Sequence, residues 1–190
     1  MSDRQTQILE AAVRVIAQDG VRGLRVEKLA AEAEVSTALI YYHFKDRAGV
    51  LRRALDHVND RAVRYTEVAA RDPRARLEQV LVLELQDTDE VRDNSVAWGE
   101  LRASAVFSDD LREPLRASTL AWSEDVESLI REAQGAGLAK PDTSPADAAE
   151  RLTALVEGLS ERWLSGSVTL ERARDLLDGA ITAELGPPSK

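Results

Sequence analysis

One period runs through almost the whole chain. From Ile8 the apolar residues Ile8, Ala11, Ala12, Val15 and Ile16 recur at i, i+3, i+4, i+7 and i+8, the spacing that lines one face of an α-helix. It returns at Leu51, Leu55, Val58, Ala62 and Tyr65, again at Leu115, Thr119, Trp122, Val126 and Ile130, and again at Leu152, Leu155, Val156 and Leu159. No stretch alternates apolar and polar residues with the period of two that a half-buried strand requires. The predicted fold is all-α, with about nine helices.

Local signals divide the pattern. Gly20 ends the first helix, and a short second one is predicted from about Val26 to Ala33. Ser36 is a good N-cap for a third, Thr37 to about Phe44, and Asp46 for a fourth that runs to about residue 70. Pro73 interrupts "ARDPRA"; helices from about Arg74 to Gln86 and from about Val91 to Phe107 follow. "SDDLREP" offers Asp110 as an N-cap with Glu113 three residues on, a capping-box arrangement. Ser144-Pro145 opens the next helix, and the last carries Leu170, Ala173, Leu176, Leu177, Ala180 and Ile181. The expected domains are a head at 1–53 and a helical body at 54–190.

Charge separates the same two parts. Residues 1–53 hold nine Lys and Arg against seven Asp and Glu, whereas the remainder holds sixteen against twenty-seven. The net charge of −9 therefore belongs to the C-terminal part, and the head is free to approach a polyanion. The absence of cysteine excludes disulfides, zinc–thiolate sites and cysteine nucleophiles. Two histidines, His43 and His57, make a histidine-rich metal site unexpected. There is no nucleophile elbow and no phosphate loop, so no catalytic residue, metal or cofactor is expected. No run of 18 apolar residues occurs, and "MSDRQTQILE" lacks the apolar core of a signal peptide. A cytoplasmic protein without membrane contact is the expectation.

"STALIYYHFKDR" then stands out, because Tyr41, Tyr42 and Phe44 are three of the eight aromatic residues in the chain. Two short helices joined by a tight turn, leaning on the first and fourth, form the pattern of a helix-turn-helix. Tyr hydroxyls, His43 and nearby cations would suit phosphate oxygens, with Phe44 pinning the helix inward. The competing reading is a small aromatic cluster at a helix end, and spacing alone does not separate the two.

The stretch "ILEAAVRVIAQDGVRGLRVEKLAAEAEVSTALIYYHFKDRAGVLRRAL" resembles the N-terminal domain of TetR-type transcriptional repressors, most specifically in "YYHFK". "SDDLREPL", "EAQGAGLA" and "ALVEGL…WL" resemble the later part of family members. The resemblance implies a three-helix DNA-binding head on a helical ligand-binding and dimerisation body. By position it places Thr37, Ala38 and Leu39 at base edges, Tyr41, Tyr42 and His43 at phosphates or bases, and Lys45 and Arg47 on phosphate. Two departures are visible. Arg25 replaces the usual small hydroxyl residue at the start of helix two; it could reach phosphate but forgoes a cap worth about 1 kcal/mol. Glu34 replaces the usual turn glycine, where a side chain is uncomfortable at positive φ.

In the body, Glu84 lies within an apolar stripe, Glu100 lies between Val96, Ala103 and Phe107 by helical spacing, Asp125 is near Trp122, and Trp98 and Trp163 lie on inward stripes. Carboxylates among aromatic rings could hold a cationic effector, a polyamine or a quaternary amine. Alternatively each acid pairs with an arginine such as Arg102 or Arg112 and the rings are core. The stripes Leu152, Leu155, Val156, Leu159 and Leu170, Ala173, Leu176, Leu177, Ala180, Ile181 are ordinary core or a four-helix seam with a second copy; the resemblance favours the homodimer. The expected function is a ligand-responsive repressor whose dimer binds a pseudo-palindromic operator in double-stranded DNA and is released by a small molecule. A DNA-binding regulator or architectural protein without a ligand is the alternative. A helical enzyme using carboxylate acid–base chemistry is the third reading, with the least support.

Overall fold

The computed structural model describes residues 2–67, 70 and 72–187. Among them are nine helices and no strand: α1 Asp3–Gly23, α2 Val26–Glu32, α3 Thr37–Phe44, α4 Arg47–Tyr65, α5 Pro73–Val82, α6 Asp89–Ala105, α7 Asp109–Gly135, α8 Pro145–Leu164 and α9 Leu170–Leu185. The expected continuation of α4 to about residue 70 reaches residues 68 and 69, which lie outside the described residues; the described helix ends at Tyr65.

Local chemistry accounts for most helix starts. Ser2 and Gln5 cap α1 reciprocally, Ser36 accepts from Leu39 N at 3.2 Å, and Asp46 accepts from Gly49 N at 2.6 Å. Ser144 and Thr169 cap α8 and α9 in the same manner. Arg25 makes no side-chain cap bond at the start of α2, and Glu34 sits at φ 52, the left-handed region expected of a glycine there. The capping box expected at Asp110 does not form. α7 starts two residues earlier, at Asp109, placing Asp110 in its first turn, and the Glu113 carboxylate is taken by Arg116 at 2.9 Å.

The chain forms two compact units, one of residues up to Ala62 with Arg92–Ser118, the other of Val63–Val91 with Thr119 onward. In the first, Ile8, Leu9 and Ile16 of α1 share a core with Leu29, Ile40, Phe44, Leu55 and, from α6 and α7, Ala97, Leu101 and Leu111. In the second, Leu77, Leu81, Ile130, Leu152, Val156, Leu177 and Ile181 are fully enclosed. Among the described residues no helix is long and apolar enough to cross a membrane.

Candidate functional site

α3 is eight residues long, and its sidedness follows from two anchors. Ile40 and Phe44, one helical turn apart, are 1% and 5% exposed, so residues on the opposite arc must face out. Thr37 and Ala38 are exposed and Leu39 is half-buried. Tyr42 is 81% exposed and Tyr41 half that or a little more. The His43 ring stands edge-on between Tyr42 and Phe44, with centroids 5.0 and 6.1 Å away. Lys45 closes the helix at φ 67 with its side chain in solvent, and Arg25 is exposed at the start of α2. A hydroxyl-and-ring edge with cations at its end is thus displayed outward.

Arg47 is placed differently from a free phosphate grip. Its Nε donates to the Leu24 carbonyl at 2.7 Å and a terminal nitrogen donates to the Val21 carbonyl, so much of its fork is committed within the chain. The Glu100 carboxylate accepts the Val21 N–H at 2.9 Å. Phe107 is 86% exposed and Asp125 is exposed; neither encloses anything within this chain. Trp98 is half-buried against the first core, and the Arg102 guanidinium covers its ring at 5.2 Å.

Trp98, Glu100 and Phe107 belong to the first unit, and Glu84, Trp122, Asp125 and Trp163 to the second. Of the latter, Trp163 is buried and Trp122 packs on the same core. Glu84 accepts from the Tyr65 hydroxyl at 2.7 Å. Burial pushes its carboxyl from an ordinary 4.5 up to about 7, opposed by that hydrogen bond. Tyr65 was visible in the sequence only as part of an apolar stripe; nineteen residues separate the partners, and no spacing rule joins them. Arg112, the suggested partner for an acid of the box, instead pairs with Asp109 at 2.6 Å. His57 is buried at 2% exposure.

The expected dimer stripe divides by burial. Leu152, Val156, Leu159, Ala173, Leu177 and Ile181 are each at most 2% exposed in the single chain, so they offer a second copy no surface. Leu155, Leu170, Leu176 and Ala180 are half-buried. Beside them Gly158 and Gly179 have open space where a Cβ would stand.

Two stretches of the chain match families of known proteins. Residues 8–54 match the family described as bacterial regulatory proteins, tetR family, and residues 73–186 match that of the BetI-type transcriptional repressor, C-terminal. The HTH-type transcriptional regulator BetI of Burkholderia lata is 29% identical over 95% of both chains, and that of Burkholderia cenocepacia is 28% identical over the same shares. Among solved structures, a proposed TetR-family regulator from Rhodococcus sp. is 46% identical with a TM-score of 0.92, covering 97% of this chain and 100% of its own. A proposed regulator from Saccharomonospora viridis, in complex with choline, is 27% identical with a TM-score of 0.82, covering 97% and 98%.

Proposed function

This chain belongs to the TetR family of bacterial transcriptional regulators, with a BetI-type C-terminal part, and from that premise we propose that it is a dimeric repressor released from its operator by a small quaternary ammonium compound. Residues 1–53 are the operator-binding head and the remainder the effector and dimer body. The outward face of α3 is the observation that carries the reading. Ile40 and Phe44 fix the helix from inside, and Thr37, Ala38, Tyr41 and Tyr42 are left for a groove. Thr37 and Ala38 suit contact with thymine methyl groups, whereas Tyr41, Tyr42, His43, Lys45 and Arg25 suit phosphate oxygens.

A two-fold dimer reading a pseudo-palindrome sets its recognition helices about 34–36 Å apart, or a multiple of that. The outer faces of α8 and α9 supply the seam: Leu155, Leu176 and Ala180 meet their counterparts, and Gly158 and Gly179 permit close approach of the backbones.

Support for a cationic effector comes from Glu84, the acid of the body whose ionisation is held back by burial, and from the choline held by the Saccharomonospora viridis relative. A cation beside Glu84 would favour the carboxylate, and Trp122 or Trp163 would add cation–π attraction. The effector acts by binding more tightly to a body state whose heads miss the half-site spacing.

The test uses a duplex selected by the protein from random sequence, followed by fluorescence anisotropy. Choline is expected to release it, whereas 3,3-dimethyl-1-butanol, its neutral isostere, is not. Release by both compounds, or by neither, would sink the cationic assignment; failure to select any duplex would sink the regulator.

A further inference from the structure

The geometry points to Glu100 as a positioning residue for operator binding, acting through the turn between α1 and α2; this rests on the reading of α3 as the operator-reading helix. At Gly20 the backbone of α1 takes φ 71 and ψ 171, a combination essentially confined to glycine. The helical path breaks there and resumes at Val21, whose N–H can no longer find the carbonyl four residues back. Glu100 reaches in from α6 and takes that N–H at 2.9 Å. It enters through the space a side chain would occupy, since a Cβ on Gly20 would lie 2.7 Å from its Oε2. One missing methyl group therefore serves both the backbone conformation and the acid's access.

The other side of the same turn is held from α4. Arg47, three residues beyond the end of α3, donates to the Val21 and Leu24 carbonyls. Four residues of backbone, 21–24, are thus gripped by α6 at an amide and by the first residue of α4 at two carbonyls. α2 begins two residues further on. Both helices of the helix-turn-helix are consequently referred to α6, and α6 is seated in the same core by Ala97 and Leu101, 0% and 1% exposed. A shift of Glu100 along its helix axis moves the turn that orients α2 and, through Arg47, the exit of α3.

Two conservative variants separate this role from charge and from stability. Glu100→Gln keeps the reach and an accepting oxygen but removes the charge. Glu100→Asp keeps the charge but withdraws the acceptor by one methylene. Affinity for the selected duplex is measured by anisotropy, alongside melting temperature and hydrogen exchange at the Val21 amide. Glu100→Gln is expected to bind near the wild-type level with Val21 still protected. Glu100→Asp is expected to stay folded, to lose that protection and to bind roughly two- to thirtyfold more weakly, the range of residues that couple distant sites. Simple electrostatics predicts another result: removing an acid near a polyanion strengthens binding, so Gln would bind more tightly and Asp as the wild type does. That pattern overturns the inference, as do equal losses in both variants or no loss in either. Failure of the wild-type protein to bind any duplex overturns the regulator as well, whereas wild-type binding with an unaffected Glu100→Asp removes only the role of Glu100.

Discussion

α3 and α9 were both expected to turn a face toward something outside the chain, DNA in one case and a second copy in the other. In α3 every residue expected to face out, apart from half-buried Leu39 and His43, is exposed. In α9, Ala173, Leu177 and Ile181 of the expected seam are inside their own unit. The difference lies in how much of each helix is apolar. α3 has two inward anchors separated by four residues, so only one rotation about its axis buries both. α9 carries Leu170, Ala173, Leu176, Leu177, Ala180 and Ile181, an arc wide enough for two neighbours, and periodicity cannot divide an arc between them. A narrow stripe specifies a face; a broad one specifies only that the helix has more than one partner.

The sharpest way to break that contrast is to truncate an anchor and an outward residue of the same helix. Phe44→Ala should cost about 3–5 kcal/mol in chemical denaturation. Tyr42→Ala should leave stability nearly unchanged while weakening the selected duplex and flattening the dependence of binding on salt. Equal stability losses would mean that Tyr42 is packed.

In α9 the matching pair is adjacent in sequence. Leu177→Ala should cost about 2–5 kcal/mol, whatever the protein concentration. Leu176→Ala, on a half-buried residue, should act mainly through the dimer, visible as a larger dissociation constant in sedimentation and as a melting temperature that falls on dilution. A melting temperature indifferent to concentration in both variants would place the seam elsewhere.

Glu84 makes the contrast one of protonation. Its folded pKa of about 7 lies above the ordinary 4.5, so the folded protein holds a proton that the unfolded chain releases. This contribution to stability is fully present below about pH 4.5 and is lost as pH rises to about 7; the loss is on the order of 1–3 kcal/mol. Glu84→Gln should abolish that slope in pH-dependent denaturation. If choline binds the ionised form, its affinity should fall toward tenfold per pH unit below 7, read by calorimetry, and Glu84→Gln should lose the dependence along with the affinity. The smallest effect is expected at the N-cap of α3: Ser36→Ala should cost about 1 kcal/mol in denaturation without altering which duplex is selected.

By itself the sequence determined the helical class, the two-turn length of α3, the caps at Ser36, Asp46 and Ser144, the uncapped start at Arg25 and the left-handed backbone at Glu34. Those features depend on contacts within about four residues, where residue type and spacing are nearly the whole of the physics. Tertiary structure alone decided that Glu100 serves a backbone amide seventy-nine residues away, that Arg47 donates to the Leu24 and Val21 carbonyls, that Glu84 meets Tyr65, and that Leu176 and Leu177 part company. An acid in an apolar stripe announces that it needs a partner. Which partner it finds depends on the rotation and register of helices packed across a core, and no local spacing encodes that.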